Sequence, residues 1–188
     1  FGEEYTLVAC ADYVLSKTPG NTVSNLSSTR ALRDITEKHG GTYYSSAVGE
    51  VNVVTKMKAV NAVIGGEGNG GIIDPQLHYG RDSLIGTALF LSLLSTCQLS
   101  VSELKKTYPE YFMGKGKIQL ELTMDVDALL LAIEKEYANN KPSTIDGVKI
   151  DFEASWVHLR KSNTEPIIRV YTEAPSQEDA DLLMNRFK

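Results

Sequence analysis

The chain has 188 residues, of which 42% are apolar and 23% charged, as is typical of a globular protein with one large domain or two small ones. Its net charge of −5 disfavours a nucleic-acid surface, because phosphate backbones are bound by clustered Lys and Arg. The most apolar stretch, 84–94, is too short to span a bilayer, and the N-terminus has no signal pattern. We therefore expect a cytoplasmic protein without a nucleic-acid or membrane partner, whose two cysteines, Cys10 and Cys97, are free thiols.

The first half of the chain alternates between helical and extended patterns. Apolar residues recur at helical spacing in four segments, 3–16, 27–38, 52–60 and 81–96. Extended patterns occur in three segments, 21–25, 42–47 and 62–64. The hydroxyl groups at 27–29 are expected to cap the second helix. This alternation predicts a three-layer α/β domain whose mostly parallel or mixed sheet is covered on both faces.

The pattern changes after a short predicted helix at 100–106. The next segment, YPEYFMGKGK at 108–117, contains Pro, Gly and Lys without an apolar period and is expected to be a connector. Strands, helices and a hairpin that turns at Asp146-Gly147 are expected beyond it, in the segments 118–123, 125–137, 143–152, 156–159, 167–172 and 176–187. This half therefore predicts a small α+β domain.

A glycine-rich segment, GGEGNGG at 65–71, directly follows the third predicted strand. Glycines let a ligand approach the backbone, and here they flank one carboxylate, Glu67, and one amide, Asn69. Because these groups suit sugar hydroxyls, the segment is a candidate sugar-binding loop at the carboxyl end of a parallel strand. The segment lacks the Lys-Ser/Thr pair of a nucleotide phosphate loop and a full dinucleotide fingerprint. A flexible surface turn is the alternative.

A second polar segment, RKSNTEPIIR at 160–169, lies between two predicted strands. Arg160 supplies a planar fork of donors, and the polar run after it supplies further donors that can surround the oxygens of a phosphate group. Each charge-assisted hydrogen bond contributes about 1.5–3 kcal/mol, so several together hold a phosphate firmly. The alternative is a solvated, charged hairpin loop.

Histidines and one glutamate near these segments have open roles. His78 lies shortly after the glycine-rich segment and is either a wall of the site or structural, and Glu50 is either exposed or at the site. His158 and Trp156 are expected to be structural.

Together the two segments resemble those of the alpha-D-phosphohexomutase family. GGEGNGG resembles the family's sugar-binding loop, GE-x-S-G-H, and RKSNTEPIIRVYTEA resembles its phosphate-binding loop, R-x-S-(G/N)-T-E-P followed by R-V. AVGEVNVVTKMK and YGRDSLIGTALFLSLL, on either side of the first, also resemble family segments. The resemblance covers essentially the whole chain. It implies domain three at 1–107, a connector at 108–117 and a small, TBP-like domain four at 118–188.

The resemblance also implies an activity. The family interconverts hexose 1-phosphate and 6-phosphate through a phosphoserine in domain one and a hexose 1,6-bisphosphate, assisted by Mg²⁺ that domain two binds. The partners of this chain would then be a hexose phosphate and the N-terminal domains of the same protein. With its start at Phe1 and its end inside a predicted helix, the chain is expected to be a fragment, inactive by itself and without a metal ligand. A non-catalytic sugar-phosphate-binding module and a purely structural or interaction domain are the alternatives.

Candidate site residues follow from the same resemblance. Sugar hydroxyls would be bound by Glu67, Gly68, Asn69 and Gly70, and phosphate by Arg160, Ser162, Asn163, Thr164 and Arg169. Asn69 stands where Ser is common, and Gly71 stands where the family often has His, a residue linked to proton transfer. The resemblance therefore leaves the general acid or base unidentified.

Overall fold

A computed structural model of the chain describes residues 1–120, 125–162 and 164–188. They divide into two compact units, Phe1–Glu110 and Tyr111–Lys188. Among these described residues, no helix combines the length and the apolarity needed to cross a membrane.

The first unit is built around a mixed sheet. Its helices and strands, in chain order, are α1 (Glu3–Lys17), β1 (Asn21–Asn25), α2 (Ala31–Lys38), β2 (Tyr43–Ser46), α3 (Glu50–Val60), β3 (Ala62–Glu67), β4 (Gly71–Ile73), α4 (Ser83–Cys97) and α5 (Val101–Lys106). The strand order is β2-β1-β3-β4, with β1 parallel to both of its neighbours and β4 antiparallel to β3.

Helices cover both faces of this sheet. A Cβ atom on Gly65 would lie 2.6 Å from Sδ of Met57 on α3, whereas one on Gly66 would lie 3.1 Å from Cδ1 of Leu7 on α1. Because successive residues of a strand face opposite sides, α3 covers one face and α1 the other. Helix α4 lies on the α1 side, where a Cβ on Gly86 would be 2.9 Å from Cγ1 of Ile72. The predicted three-layer α/β arrangement is confirmed.

The glycine-rich segment is a β-hairpin, which corrects the expected loop after a strand ending at 64. Strand β3 continues through Gly65 and Gly66 to Glu67, and β4 returns antiparallel, pairing Gly71 with Glu67. A Cβ on Gly65 would lie 2.8 Å from the backbone oxygen of Val23, besides its contact with α3. This glycine is therefore a site of close packing within the sheet, although the sequence pattern indicated a break.

The second unit is an antiparallel sheet with helices on one face. Its elements, in chain order, are β5 (Phe112–Gln119), α6 (Val126–Glu136), a 3₁₀ turn (Ala138–Asn140), β6 (Val148–Asp151), β7 (Trp156–Lys161), β8 (Ile167–Ala174) and α7 (Gln177–Arg186). The strand order is β5-β8-β7-β6. Apolar residues of the helices and of one sheet face form a single core, Val126, Leu130, Val148, Ile150, Val157, Leu159, Ile168, Val170 and Met184. The small α+β fold is confirmed.

Strand β5 occupies most of the segment 108–117, which was expected to be an irregular connector. It starts at Phe112 and pairs with β8 along its whole length. The side chain of Met184 on α7 lies over both glycines of the segment, since a Cβ on Gly114 or Gly116 would lie 3.2 Å or 2.7 Å from its atoms. These glycines let α7 approach the sheet closely, so they do not break the strand. The last three residues of the expected strand 118–123 lie outside the described residues.

Candidate functional site

The carboxylate of Glu67 lies at the carboxyl end of β3 and is almost fully buried, with 4% of the residue exposed. Its Oε1 accepts a hydrogen bond from Nδ2 of Asn25, which ends the neighbouring strand β1, at 3.0 Å. Its Oε2 pairs with the guanidinium of Arg81 at 3.1 Å. The orientation of the carboxylate is therefore fixed from both sides.

A buried polar network fixes the hairpin turn. Oδ1 of Asn25 accepts hydrogen bonds from the hydroxyl of Ser28 and the backbone N–H of Ser27, both at 3.0 Å. The same Ser28 hydroxyl oxygen accepts the N–H of Gly68 at 2.9 Å. The sequence predicted Ser28 as part of a helix cap, but α2 starts at Ala31, so this hydroxyl supports the sugar-binding candidate instead. The role of Asn25 was missed; its place at the end of a strand, before two serines, was the available signal.

The tip of the hairpin is exposed. Oδ1 of Asn69 accepts the N–H of Gly71 at 3.1 Å, and Gly70 has φ of 84°, a conformation that favours glycine. Because this bond holds the Asn69 amide over the turn, its NH₂ group is left to face outward as a donor. The turn thus presents one side-chain donor at the carboxyl end of the sheet, beside the buried Glu67.

Arg81 and Glu50 extend this part of the site. Nε of Arg81 donates to Oε2 of Glu50 at 2.7 Å, and the backbone N–H of Arg81 lies 3.3 Å from Oε1. Hydrogen bonds from Arg81 hold the pKa of Glu50 below its usual value. An open pocket of about 460 Å³ adjoins the pair and is lined by Glu50, Asn69, Gly70, Gly71, Ile72, Arg81, Asp82 and Ser83.

His78 lies beside this pocket and contacts Asp82, one of the residues that line it. Its Nε2 is 3.1 Å from Oδ2 of Asp82, whose Oδ1 caps α4 by accepting the N–H groups of Leu84 and Ile85. The backbone hydrogen bond from Ile85, and then the one from His78, lower the pKa of Asp82. His78 therefore contacts the site through Asp82.

In the second unit, three cationic residues stand in a row across the sheet. Arg160 on β7 is paired in register with Arg169 on β8, which is paired in turn with Lys117 on β5. Leu159 and Val170, the neighbours of the two arginines, belong to the core under the helices, so the row faces the other side of the sheet. Like charges directly opposite each other destabilise a sheet, and this arrangement suits an anion.

Arg160 is the most buried member of the row. Its side chain is 23% exposed and its NH1 lies 3.4 Å from Oδ2 of Asp146. Its Nε is buried and has no hydrogen-bond partner among the described residues. A buried donor without a partner costs free energy, which an anionic acceptor at this position would recover.

The loop after Arg160 returns toward the sheet. The hydroxyl oxygen of Ser162, a buried residue, lies 3.5 Å from Oγ1 of Thr164 and 3.4 Å from its backbone nitrogen. Arg169 pairs with Glu165 at 3.1 Å. Of the predicted set, the structure thus places Ser162 beside Thr164 and Arg160 opposite Arg169, and Asn163 lies outside the described residues.

A buried histidine holds the turn that carries Asp146. Nε2 of His158 is 2.6 Å from the backbone oxygen of Asp146, and the residue is fully buried. Burial lowers the pKa of His158 from its ordinary value of 6.5 to about 4, so the neutral ring donates to this carbonyl at neutral pH. His158 thus has the structural role expected of it, since it holds the turn on which Asp146, the partner of Arg160, lies.

Two family models match the chain almost from end to end. Residues 2–111 match the model described as phosphoglucomutase/phosphomannomutase, alpha/beta/alpha domain III, and residues 118–188 match the C-terminal domain of the same family. The chain belongs to the phosphoglucomutase/phosphomannomutase family. Its membership confirms the resemblance inferred from the two loops.

Individual members of the family are similar over nearly the whole chain. A phosphoglucomutase/phosphomannomutase of Thermococcus kodakarensis is 35% identical over 176 residues, which are 93% of this chain and 39% of that protein. A phosphoglucosamine/phosphogalactosamine mutase of Sulfurisphaera tokodaii is 35% identical over 168 residues, 88% of this chain and 37% of that protein. The chain thus spans about two fifths of the length of these relatives.

Solved structures of the family share the fold. A phosphoglucomutase/phosphomannomutase family protein of Burkholderia thailandensis superposes with a TM-score of 0.77 at 24% identity, covering 98% of this chain and 40% of that one. An Aspergillus fumigatus N-acetylphosphoglucosamine mutase, solved with GlcNAc-6P and magnesium, gives 0.64 at 16% identity, covering 98% and 45%. At these identities the likeness concerns the phosphohexomutase fold alone.

Proposed function

We propose that this chain supplies the hydroxyl-binding and phosphate-binding groups of a phosphosugar mutase that interconverts hexose 1-phosphate and 6-phosphate. The observation that carries the proposal is the buried, unpartnered Nε of Arg160, directly opposite Arg169. Family membership and the polar loop after Arg160 support it. The functional domains are then 1–107 and 118–188, joined through 108–117, whose residues from Phe112 onward belong to β5 of the second unit.

The phosphate group binds to the second unit. Two guanidinium groups on adjacent strands repel each other, and a phosphate dianion between them turns this repulsion into attraction. The Ser162 and Thr164 hydroxyls, and in the same loop Asn163, supply neutral donors for the remaining oxygens. Lys117, at the far end of the row, adds attraction for an approaching anion.

The sugar hydroxyls bind to the hairpin of the first unit. Oε1 of Glu67 accepts one hydrogen bond from Asn25, Oε2 is ion-paired with Arg81, and a carboxylate oxygen can accept a further hydrogen bond. Asn69 donates from its exposed amide, and Gly70, where a Cβ would meet nothing within 4 Å, lets the sugar approach the backbone, whereas the corresponding space at Gly68 is filled by the carboxylate of Glu4. Recognition of hydroxyls and of a distal phosphate suits a substrate that binds in two orientations, because both features are present in each.

The phosphoryl donor and the metal belong to other parts of the proposed enzyme. The reaction runs through a phosphoserine and a hexose 1,6-bisphosphate, and we assign the serine and the Mg²⁺ ligands to the N-terminal domains. Within residues 1–120, 125–162 and 164–188, no group of three or more His, Cys, Asp and Glu side chains is placed to hold a metal ion. These residues do not fit Mg²⁺, and no step in this chain is assigned to it.

Isothermal titration of the chain with glucose 6-phosphate, inorganic phosphate and glucose tests the proposal. We expect glucose 6-phosphate to bind more tightly than either of the other two, because only it carries both the hydroxyls and the phosphate that the proposed groups bind, and we expect glucose 1,6-bisphosphate to bind as well. The chain alone should show no mutase turnover, since it lacks the donor serine. Absence of binding of all four ligands, or turnover by the chain alone, would contradict the proposal.

A further inference from the structure

The pocket beside the hairpin is lined by the guanidinium group of Arg81, to which neither the sequence analysis nor the proposed function assigns a role. Arg81 lies between two carboxylates, with its Nε hydrogen-bonded to Glu50 at 2.7 Å and its NH1 ion-paired with Glu67 at 3.1 Å. Glu67 is itself one of the proposed sugar-binding residues. The side chain of Arg81 is 44% exposed, although both of its partners hold it in place.

The NH2 group of this fork is available to a ligand. A guanidinium has five N–H donors in a planar arrangement; here Nε donates to Glu50, and NH1 is ion-paired with Glu67. NH2 of Arg81 makes no hydrogen bond to any part of the chain that the structure describes. Because Arg81 lines the pocket together with Asn69 and Gly70, its free donors lie beside the exposed amide of the hairpin.

The charge around Arg81 selects the kind of acceptor. Glu50 and Glu67 pair with Arg81 and Asp82 lines the same pocket, so the carboxylates outnumber the guanidinium and the pocket is negative. A phosphate dianion would be repelled there, whereas a neutral hydroxyl oxygen would not. Hydrogen bonding from Arg81 also keeps the pKa of Glu50 low, which maintains the ion pair at neutral pH.

Gly71 makes room for this arrangement. A Cβ on Gly71 would lie 2.6 Å from Cδ and 3.2 Å from Cγ of Arg81, so the stem of the arginine passes directly over the glycine. Gly71 departs from the family pattern, in which His is frequent at this position, and the close approach of Arg81 gives a physical reason for a glycine here. The space that a side chain at 71 would need is filled by Arg81.

We propose that Arg81 is a further sugar-binding residue, which donates from NH2 to a neutral hydroxyl oxygen while Glu50 and Glu67 hold its fork. The inference rests on the proposed function, since it concerns the same sugar. It divides recognition by charge: Arg81 in the first unit binds hydroxyl groups, and Arg160 and Arg169 in the second bind phosphate.

Titrations of four variants with glucose 6-phosphate and with inorganic phosphate test the assignment. Arg81→Met should weaken binding of glucose 6-phosphate about tenfold or more, the loss expected for one charge-assisted hydrogen bond, and leave phosphate binding unchanged. Gly71→Ala should weaken it similarly by displacing Arg81, and the double variant should be no weaker than Arg81→Met alone. Arg33→Met, which removes a surface arginine paired with Asp34 in the same unit, is the matched control.

Three results would overturn the assignment. Arg81→Met could bind glucose 6-phosphate as tightly as the wild type does, or it could lose affinity equally for glucose 6-phosphate and phosphate. The third result is a double variant whose loss of affinity is the product of the losses in Arg81→Met and Gly71→Ala. If Arg81→Met does not fold, Arg81→Lys, which keeps a cation but not the planar fork, should still lose affinity for glucose 6-phosphate; wild-type affinity would overturn the assignment. Failure of the proposed function is distinct, because the wild type would then bind glucose 6-phosphate no more tightly than phosphate, and this too would overturn the assignment.

Discussion

Arg160→Ala is expected to lower the affinity of the chain for glucose 6-phosphate about a hundredfold or more, because the guanidinium fork makes two charge-assisted hydrogen bonds to a phosphate. Its affinity for unphosphorylated glucose should not change. The affinity falls because the variant lacks the buried Nε, which has no partner among the described residues, and the NH1 that faces Asp146 at 3.4 Å. Isothermal titration of the two ligands against the wild type and the variant measures both effects.

Lys161→Ala is the matched control for this experiment. Lys161 is the next residue along the chain and carries the same charge, but it lies on the opposite face of the sheet, 3.8 Å from Asp127 on α6. Its removal should leave the affinity for glucose 6-phosphate nearly unchanged. Equal losses of affinity for glucose 6-phosphate in the two variants would indicate a general effect of positive charge. If Arg160→Ala lost affinity equally for glucose and for glucose 6-phosphate, a phosphate role for Arg160 would be contradicted.

The second unit should lose stability in acid because of His158. The folded pKa of about 4 lies below the ordinary value of 6.5, so the unfolded chain takes up a proton on this ring at a higher pH than the folded chain does. The free energy of unfolding should therefore fall as the pH drops from about 6.5 to about 4, by about 3 kcal/mol from this residue. Above pH 6.5 the contribution is constant.

Urea titrations at a series of pH values measure this effect. The single tryptophan, Trp156, lies on the same strand as His158, so its fluorescence reports on the second unit. His158→Gln does not titrate and can still donate to the carbonyl of Asp146, so the difference in stability between variant and wild type should shift by about 3 kcal/mol over this range in favour of the variant. A difference that stays constant from pH 7 to pH 4 would contradict the account.

Much of the fold was predictable because its apolar periodicity is strong. The α/β alternation before residue 100 and the α+β pattern after it follow from helical and extended spacing, and they are confirmed. Glycine was the main source of error, since the sequence does not reveal whether it breaks a strand or packs under a helix. Gly65, Gly114 and Gly116 all do the latter, which is why β3 and β5 are longer than expected.

The candidate site was predictable in its polar segments but not in their supports. The roles of Glu67 and Arg160 stay predictions, to be tested by the titrations above. The residues that hold them, Asn25 and Asp146, are distant along the chain, and only the folded structure brings them together. The pairing of Arg160 with Arg169 likewise depends on hairpin register, which the residue pattern leaves open.

Amide chemical-shift mapping by NMR tests the central claim, that the hairpin binds hydroxyls and the Arg160 loop binds phosphate. Glucose 6-phosphate should shift the resonances of Gly68, Asn69 and Gly70 together with those of Ser162 and Thr164, whereas inorganic phosphate should shift only the latter two. Shifts confined to other surfaces, or no response of either segment to glucose 6-phosphate, would contradict the account.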